Sequence, residues 1–426
     1  MKRVVFITAL AVVGFGAIAA AQQPAPNAPP KPTSARRLAF SPDGKSLAVA
    51  YGGVDTLIVW DLAARQPRIA LHEKAVIHSI AYSPAGDVLA IGVGPMAKLL
   101  DPKTGEVRRE FNAHQQTVNG VAFTPDGKQL ATAGADAQVK LWDVAAGGDP
   151  LQTFSGPKGP TVNVAISPDG KWLAAACAVA DGIHVWNFQR PAEKPRKFDM
   201  SGADGNRRAD TFQVVFSPDG RLLAIPNWNG SLSIIDIASG NAAFKFKYLN
   251  GERGIAFSPD GKWLAVAPGY DRRIKLVSFE QLSGDGQQRQ IAALIGQFQD
   301  DDYAKREAAS QQLAALGPMV VEQLRRNLNS PDAEVRVRCR RLMERILDLA
   351  FARQLIGHEA EATWVAFSPD GKLLASGDSQ GIVKLWTIPD GKLMLSLAPD
   401  GQATTPKTPP DKAAMHFLQP AHVSAA

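Results

Sequence analysis

The sequence predicts a mainly β fold, a seven-bladed β-propeller with a small α-helical insertion in its sixth blade. Three observations carry that expectation. A turn motif recurs at the length of one four-stranded sheet, apolar runs of strand length flank every copy, and one segment, 281–350, switches to helical periodicity.

The turn comes first. Ser-Pro-Asp-Gly, or a close variant, begins at Ser41, Ser83, Thr124, Ser167, Ser217, Ser258 and Ser368, so successive spacings are 42, 41, 43, 50, 41 and 110 residues. Five of these lie near one blade, and the sixth equals one blade plus about 69 residues. Proline fixes φ and glycine supplies positive φ, so Pro-Asp-Gly closes two antiparallel strands. The first strand precedes each turn (LAF, IAY, VAF, VAI, VVF, IAF, VAF) and the second follows it (KSLAVA, KQLATA, KWLAAA, RLLAIP, KLLASG). A third run comes next, as in TLIVWDL and QVKLWDV, and a more variable fourth opens after a Gly- or Pro-bearing turn, as in PRIALH and KLMLSLA. Four strands cannot bury both faces alone, whereas sheets arranged radially cover one another.

The ends of the chain read differently. Lys2 and Arg3 precede an uncharged apolar run that ends at Ala19-Ala20-Ala21, the pattern of a secretory signal peptide over 1–21 cleaved after Ala21. A Pro-rich linker covers 22–35, propeller blades cover 36–280 and 351–400, and 401–426 reads as a mostly disordered tail. Each blade is expected to use contiguous chain except the sixth, with no N-terminal strand lent to the last blade, so ring closure is expected to be weaker than usual. The net charge of +6 falls to +4 without Lys2 and Arg3, which gives no reason to expect nucleic-acid binding. Cys177 and Cys339 are the two cysteines, too few for a disulfide framework, and both are expected to be free.

In the insert, QRQIAALIGQFQ, DDYAKREAASQQLAALG, PMVVEQLRRNLN and PDAEVRVRCRRLMERILDLA have helical period. Asp301 and Asp302 open one helix, and Ser330 is expected to cap another with Pro331 at its first position. Two segments around Arg306 and Arg336 repeat an acid, an arginine, a small residue and a leucine, and resemble HEAT-type repeats. The arginines at 336, 338, 340, 341 and 345 read as a solvated face with acids among them. Because the insert replaces a turn at one rim, the helices are expected to project from the disc and leave the channel clear.

The β units themselves resemble WD40 repeats. The residues that carry the resemblance are Trp60-Asp61, Trp142-Asp143, Trp186-Asn187 and Trp386-Thr387 at third-strand ends, with His114 and Gly357-His358 before first strands. The resemblance implies a structural tetrad of His, Ser or Thr, Asp and Trp. Blade three matches it in full with His114, Thr132, Asp136 and Trp142; blade seven matches in part with His358, Ser376 and Trp386, Gln380 standing where Asp is expected. Leu100, Ile235 and Val277 replace the tryptophan in blades two, five and six. Periplasmic propellers resembling TolB also use Ser-Pro-Asp-Gly repeats, but their third strands usually lack a Lys-Leu-Trp-Asp such as 140–143.

No catalytic, cofactor or metal pattern is readable. Gly377-Asp378-Ser379-Gln380-Gly381 fits G-x-S-x-G but lies between two strands, not between a strand and a helix. His72, Glu73 and His78 have the wrong spacing for a zincin, and Asp300-Asp301-Asp302 lacks the alternation of a calcium loop. The expectation is a monomeric, non-enzymatic scaffold for protein partners, secreted or periplasmic, with no membrane span after cleavage. Partner contacts are placed in the loops His72–Val76, Gln115–Thr117 and Glu359–Glu361. An envelope translocation component, or a propeller hydrolase or lyase, is the alternative.

Overall fold

Each repeat forms one antiparallel sheet with its strands in chain order, and seven such sheets stand around a common channel in the computed structural model. The structure describes residues 33–405 except 54, 179–181, 189, 191–192, 199–212, 228–230, 241, 247–251, 270, 279–284, 317–319 and 351–352. The predicted leader, most of the Pro-rich linker and residues 406–426 lie outside the described residues.

Burial explains the sequence of each strand. Second strands such as Ser46–Gly52 and Trp263–Pro268 are covered on both faces by neighbouring blades, so they are apolar or small at consecutive positions. Fourth strands such as Val107–Asn112 lie outermost and are largely exposed, so their sequences vary. Seven buried clusters fill the seven seams between adjacent blades. The last of these seams joins blade seven to blade one: Trp364, Leu385 and Leu397 pack with Leu38, Tyr51 and Trp60. Closure therefore rests on face-to-face packing, with no strand exchanged among the described residues, and it is tightened by Thr363, whose hydroxyl donates to the Ala35 carbonyl at 2.6 Å. Nothing local in the sequence marks this seam. The reading of the tail also needs adjusting: Ala403–Thr404 pairs with Leu393–Leu397 as a fifth strand of blade seven.

The recurring turn is a closed hydrogen-bond unit. In blade one the Ser41 hydroxyl donates to Asp43 at 2.6 Å and accepts from the Ser46 amide at 2.9 Å, while Asp43 also accepts from the Lys45 amide. Those bonds, the serine's first, hold the Asp43 carboxyl below its ordinary value. Blade two has Ala85 in the aspartate position, and Asp87 takes over by accepting from the Ser83 hydroxyl at 2.7 Å. The turn glycines have φ near +70°, for example Gly44 at 69° and Gly371 at 69°. Gly44 sits against Pro369 of blade seven and Gly86 against Pro42 of blade one, so these turns line up around one mouth of the channel.

Between the third strand, Ile274–Ser278, and the fourth, Arg353–Leu355, of blade six come four helices: α1 (Asp285–Gly296), α2 (Tyr303–Ala315), α3 (Val321–Arg326) and α4 (Ala333–Ala350). They are not a free projection. Ile291, Phe298, Leu313, Leu324 and Ile346 share one core with Leu232, Ile255 and Val277 of blades five and six. α3 touches the outer strand Ala242–Phe246, and α4 touches Ile274–Ser278.

Asp302 caps α2 by accepting from the Ala304 amide at 2.8 Å. At the start of α4 the cap is Asp332, which accepts from the Val335 amide at 3.0 Å, and not Ser330, whose hydroxyl accepts from the Asp332 amide. Pro331 precedes the cap because the extended backbone at Ser330 suits the residue before a proline.

The same geometry recurs after 30 residues. Arg306 Nη1 donates to the carbonyls of Asp300 and Asp301 at 2.6 and 2.9 Å, and Arg336 Nη1 to those of Ser330 and Pro331 at 2.7 and 2.8 Å. Each arginine fastens its helix to the short turn before it. Replacing Arg336 by methionine keeps the stem but removes two charge-assisted bonds, an expected loss of about 1–2 kcal/mol after discounting for partial exposure. Amide exchange in the first turns of α4 should accelerate while the blade strands keep their protection. Unchanged exchange there would remove this role.

Candidate functional site

First strands run from one face of the disc toward the Ser-Pro-Asp-Gly mouth, so the loops entering them and the turns between second and third strands share the opposite face. That face is stitched together by backbone bonds. The Glu73 amide donates to Asp55 O at 2.9 Å, Ala135 to Thr117 O at 2.8 Å, and Ser379 to Glu361 O at 2.9 Å. Each bond ties an entry loop to the turn beside it. Lys98 adds an ion pair to Glu73 at 2.9 Å, and Lys140 donates to Ala113 O at 2.9 Å. Lys74, Gln115, Gln116 and Glu359 remain exposed on loops held in this way.

Under this face lie two side-chain relays. In blade three the Trp142 indole N–H donates to Thr132 Oγ1 at 2.9 Å, and Thr132 meets His114 Nε2 at 2.8 Å. His114 Nδ1 meets Asp136 at 2.9 Å, and the other Asp136 oxygen accepts from the Gln115 amide at 3.0 Å. Since Thr132 already receives the indole proton, its own hydroxyl proton points to Nε2, which leaves a neutral imidazole donating through Nδ1. Burial holds the His114 ring below its ordinary value, opposed by the Asp136 charge.

In blade seven the structure supplies a fourth member. His358 Nδ1 meets Asp378 at 2.9 Å, His358 Nε2 meets Ser376 Oγ at 2.6 Å, and the Trp386 indole donates to Ser376 at 2.8 Å. The acid is Asp378, not the residue at 380; the Gln380 side chain is bypassed while its amide donates to Asp378 at 3.0 Å. In blade four Trp186 instead donates to Ser155 O at 3.2 Å and stacks on His184. These relays are buried and turned inward, so they set the loops and present no reactive group.

The His114 relay predicts a pH response. The folded value lies below the ordinary 6.5, so the unfolded chain takes the proton first as pH falls. The contribution is complete above about pH 6.5 and is lost as pH drops through the folded value. Urea midpoints of the parent should therefore fall more steeply below pH 6.5 than those of a His114→Ala variant. Parallel pH profiles would refute the assignment.

The channel wall carries a second set of residues missed in the sequence. Among the described residues, the positions five and four residues before each turn Ser or Thr hold Arg36-Arg37, His78-Ser79, Asn119-Gly120, Val162-Asn163, Gln213, Gly254 and Thr363-Trp364. First strands have one unpaired edge toward the channel, and polar side chains at several of these positions satisfy it. Ser79 Oγ accepts from the Val121 amide at 3.0 Å, Asn163 from Val214 at 3.0 Å, and Gln213 from Ile255 at 2.9 Å, each reaching the next blade. Asn119 donates to Thr161 O at 2.8 Å. Lone polar residues recurring four places before the turn are the signal that aligned repeats offer.

Among the described residues no group of three or more His, Cys, Asp or Glu is placed to hold a metal, and no helix is long and apolar enough to cross a membrane. Cys177 and Cys339 are buried and not joined in a disulfide, and burial pushes the Cys339 thiol up to about 11.

Comparison with known proteins agrees with the geometry. The family model for the WD domain, G-beta repeat, matches residues 105–143, 148–187, 251–278 and 350–387. The chain is 35% identical over 118 residues to the WD repeat-containing protein SL1-17 of Schistosoma mansoni, covering 27% of this chain and 38% of that protein. It is 28% identical over 196 residues to the transcriptional corepressor LEUNIG_HOMOLOG of Arabidopsis thaliana, covering 45% and 23%. An uncharacterised WD repeat-containing protein of Synechocystis is 30% identical over 131 residues, covering 30% and 36%. The matches span less than two fifths of the length of each of these relatives.

Proposed function

Because the chain carries WD40 repeats on a seven-bladed β-propeller, we propose that it is a non-catalytic scaffold, exported to the cell envelope or beyond, that binds protein partners on the face bearing His72–Val76, Gln115–Thr117 and Glu359–Glu361. One observation carries the reading. Those loops are held by backbone bonds to the adjacent turns and by the buried relays beneath them, so the face is preorganised and its exposed groups are polar. WD40 propellers are in general protein-interaction scaffolds, and one relative is by its name a corepressor. The N-terminal pattern of Lys2-Arg3, an apolar run and Ala19-Ala20-Ala21 supports export. The monomeric state and the resemblance of the insert to HEAT repeats belong to the same proposal, the helices offering a second surface.

Cross-linking with mass spectrometry in native envelope fractions tests it. Partner cross-links should concentrate on Lys74 and its face and be lost in a Lys74→Glu, Glu359→Lys double variant. Cross-links confined to the Lys128 and Lys171 turns would place the binding surface on the other face. The mature protein should begin at Gln22 by intact mass, and a mass that retains residues 1–21 would remove the export claim.

A further inference from the structure

The blade one and seven seam contains a cation that meets no counter-ion among the described residues. Arg37 lies in the first strand of blade one, its guanidinium over the Trp364 indole at 4.2 Å from the ring centre. Nη1 donates to the Arg36 carbonyl at 2.9 Å, and Nε is buried with no acceptor. Burial, then the Arg36 charge, lowers its value to about 10, and no carboxylate contributes. His78 of blade two responds to the same charges: burial lowers it, then Arg37 and Arg36, with Asp55 alone opposing.

The surroundings reinforce this. Among the described residues, none of the wall positions named above is Asp or Glu, while Arg36 and Arg37 stand side by side. At the opposite mouth the turns pair their acids with following lysines, as in Asp169 with Lys171 at 3.1 Å. A desolvated guanidinium is costly unless an anion completes it, and its N–H groups suit a carboxylate taken by parallel bonds. The Trp364 face holds the guanidinium plane in place, and with Nε covered a ligand would meet the Nη end. Arg37 is only partly covered and Arg36 is exposed beside it, so an incoming group can approach from the channel.

From this geometry we infer that Arg37, seated on Trp364 with Arg36 and His78 alongside, is the binding site for a carboxylate of an acidic peptide segment that enters the channel from the loop face. This deepens the scaffold reading and rests on it, since it states the chemistry of the partner's inserted group.

The test uses the full mature chain, hexaglutamate and hexaglutamine as probes, inorganic phosphate as a competing source of oxyanion, and calorimetric titration. Hexaglutamate should bind, hexaglutamine should not, and Arg37→Met should weaken hexaglutamate at least tenfold. Lys128→Met, the same charge change at the exposed turn of the other mouth, should leave it unchanged. Equal weakening by both variants, no binding to the parent, or Arg37-dependent binding of phosphate without hexaglutamate would each overturn the assignment. Arg37→Met should fold with undiminished stability, because the unpaired cation is removed while its stem still covers Trp364. A drop of more than tenfold in its folding equilibrium would make the guanidinium part of the seam and overturn the proposal as well. Partner cross-links on the loop face that survive Arg37→Met would sink this inference alone and leave the scaffold reading standing.

Discussion

Trp386→Ala is expected to cost about 3–5 kcal/mol, the largest loss from any single truncation in the propeller. The indole is 2% exposed and packs in the seam between blades six and seven with Leu276, Leu355 and Val365. Its far edge reaches the Gly357 backbone, where an added Cβ would come within 2.9 Å. Truncation therefore opens a cavity between two backbones that cannot close on it. It also leaves Ser376 without its indole donor and loosens the His358–Asp378 arm of the relay. Trp386→Phe separates the two terms: most apolar volume stays, and the loss should fall to about 1–3 kcal/mol. Val277→Ala, at the tryptophan position of blade six, should cost about 2 kcal/mol, since two methyl groups leave a site without a relay. Urea midpoints at constant slope measure all three. A Trp386→Ala loss no larger than that of Val277→Ala would show that the relay and its indole are dispensable.

What was legible in the sequence was whatever repeats locally. The turn at Ser41 and its copies closes within six residues, so its spacing and chemistry are visible without a fold. The helices around Arg306 and Arg336 announce themselves by period. The parts that escaped depend on reach or on distant partners. Thr132 and Asp136 are four residues apart but Ser376 and Asp378 are two, because blade seven takes its acid from the last residue of the second strand and blade three from the turn beyond it. Both acids meet a histidine nitrogen at 2.9 Å, so position in space is retained where position in sequence is not. Similarly Asp87 reaches Ser83 from two places beyond the usual aspartate. Ser79, Asn163 and Gln213 each read as a stray polar residue in a strand, since their partners lie 42, 51 and 42 residues away in the next blade.

That wall of inter-blade contacts also explains why two of its positions are glycine, and it yields the second large effect. A Cβ on Gly254 would come within 2.7 Å of Trp364 Cα and 3.1 Å of Thr363 O; one on Gly120 would come within 2.8 Å of the Val164 amide nitrogen. Every one of these neighbours is backbone of the next blade's first strand, so no side chain can swing aside. Neither glycine has a left-handed φ, which leaves close approach as the reason for the residue. Gly254→Ala must therefore push blade seven away from blade six, in a ring where each blade is already braced by the one after it. The expected cost is about 3 kcal/mol, at the upper end for one added methyl group because relaxation is blocked on both sides. Gly120→Ala should behave alike at the seam between blades three and four. Gly296→Ala is the contrast: its φ of −58° is helical and no atom lies within 4 Å of the added Cβ. That change should stabilise the end of α1 by up to about 1 kcal/mol. If Gly254→Ala unfolds at the parent's urea concentration, the blades are free to slide at the channel, and the rigidity on which a preorganised binding face depends is lost as an argument.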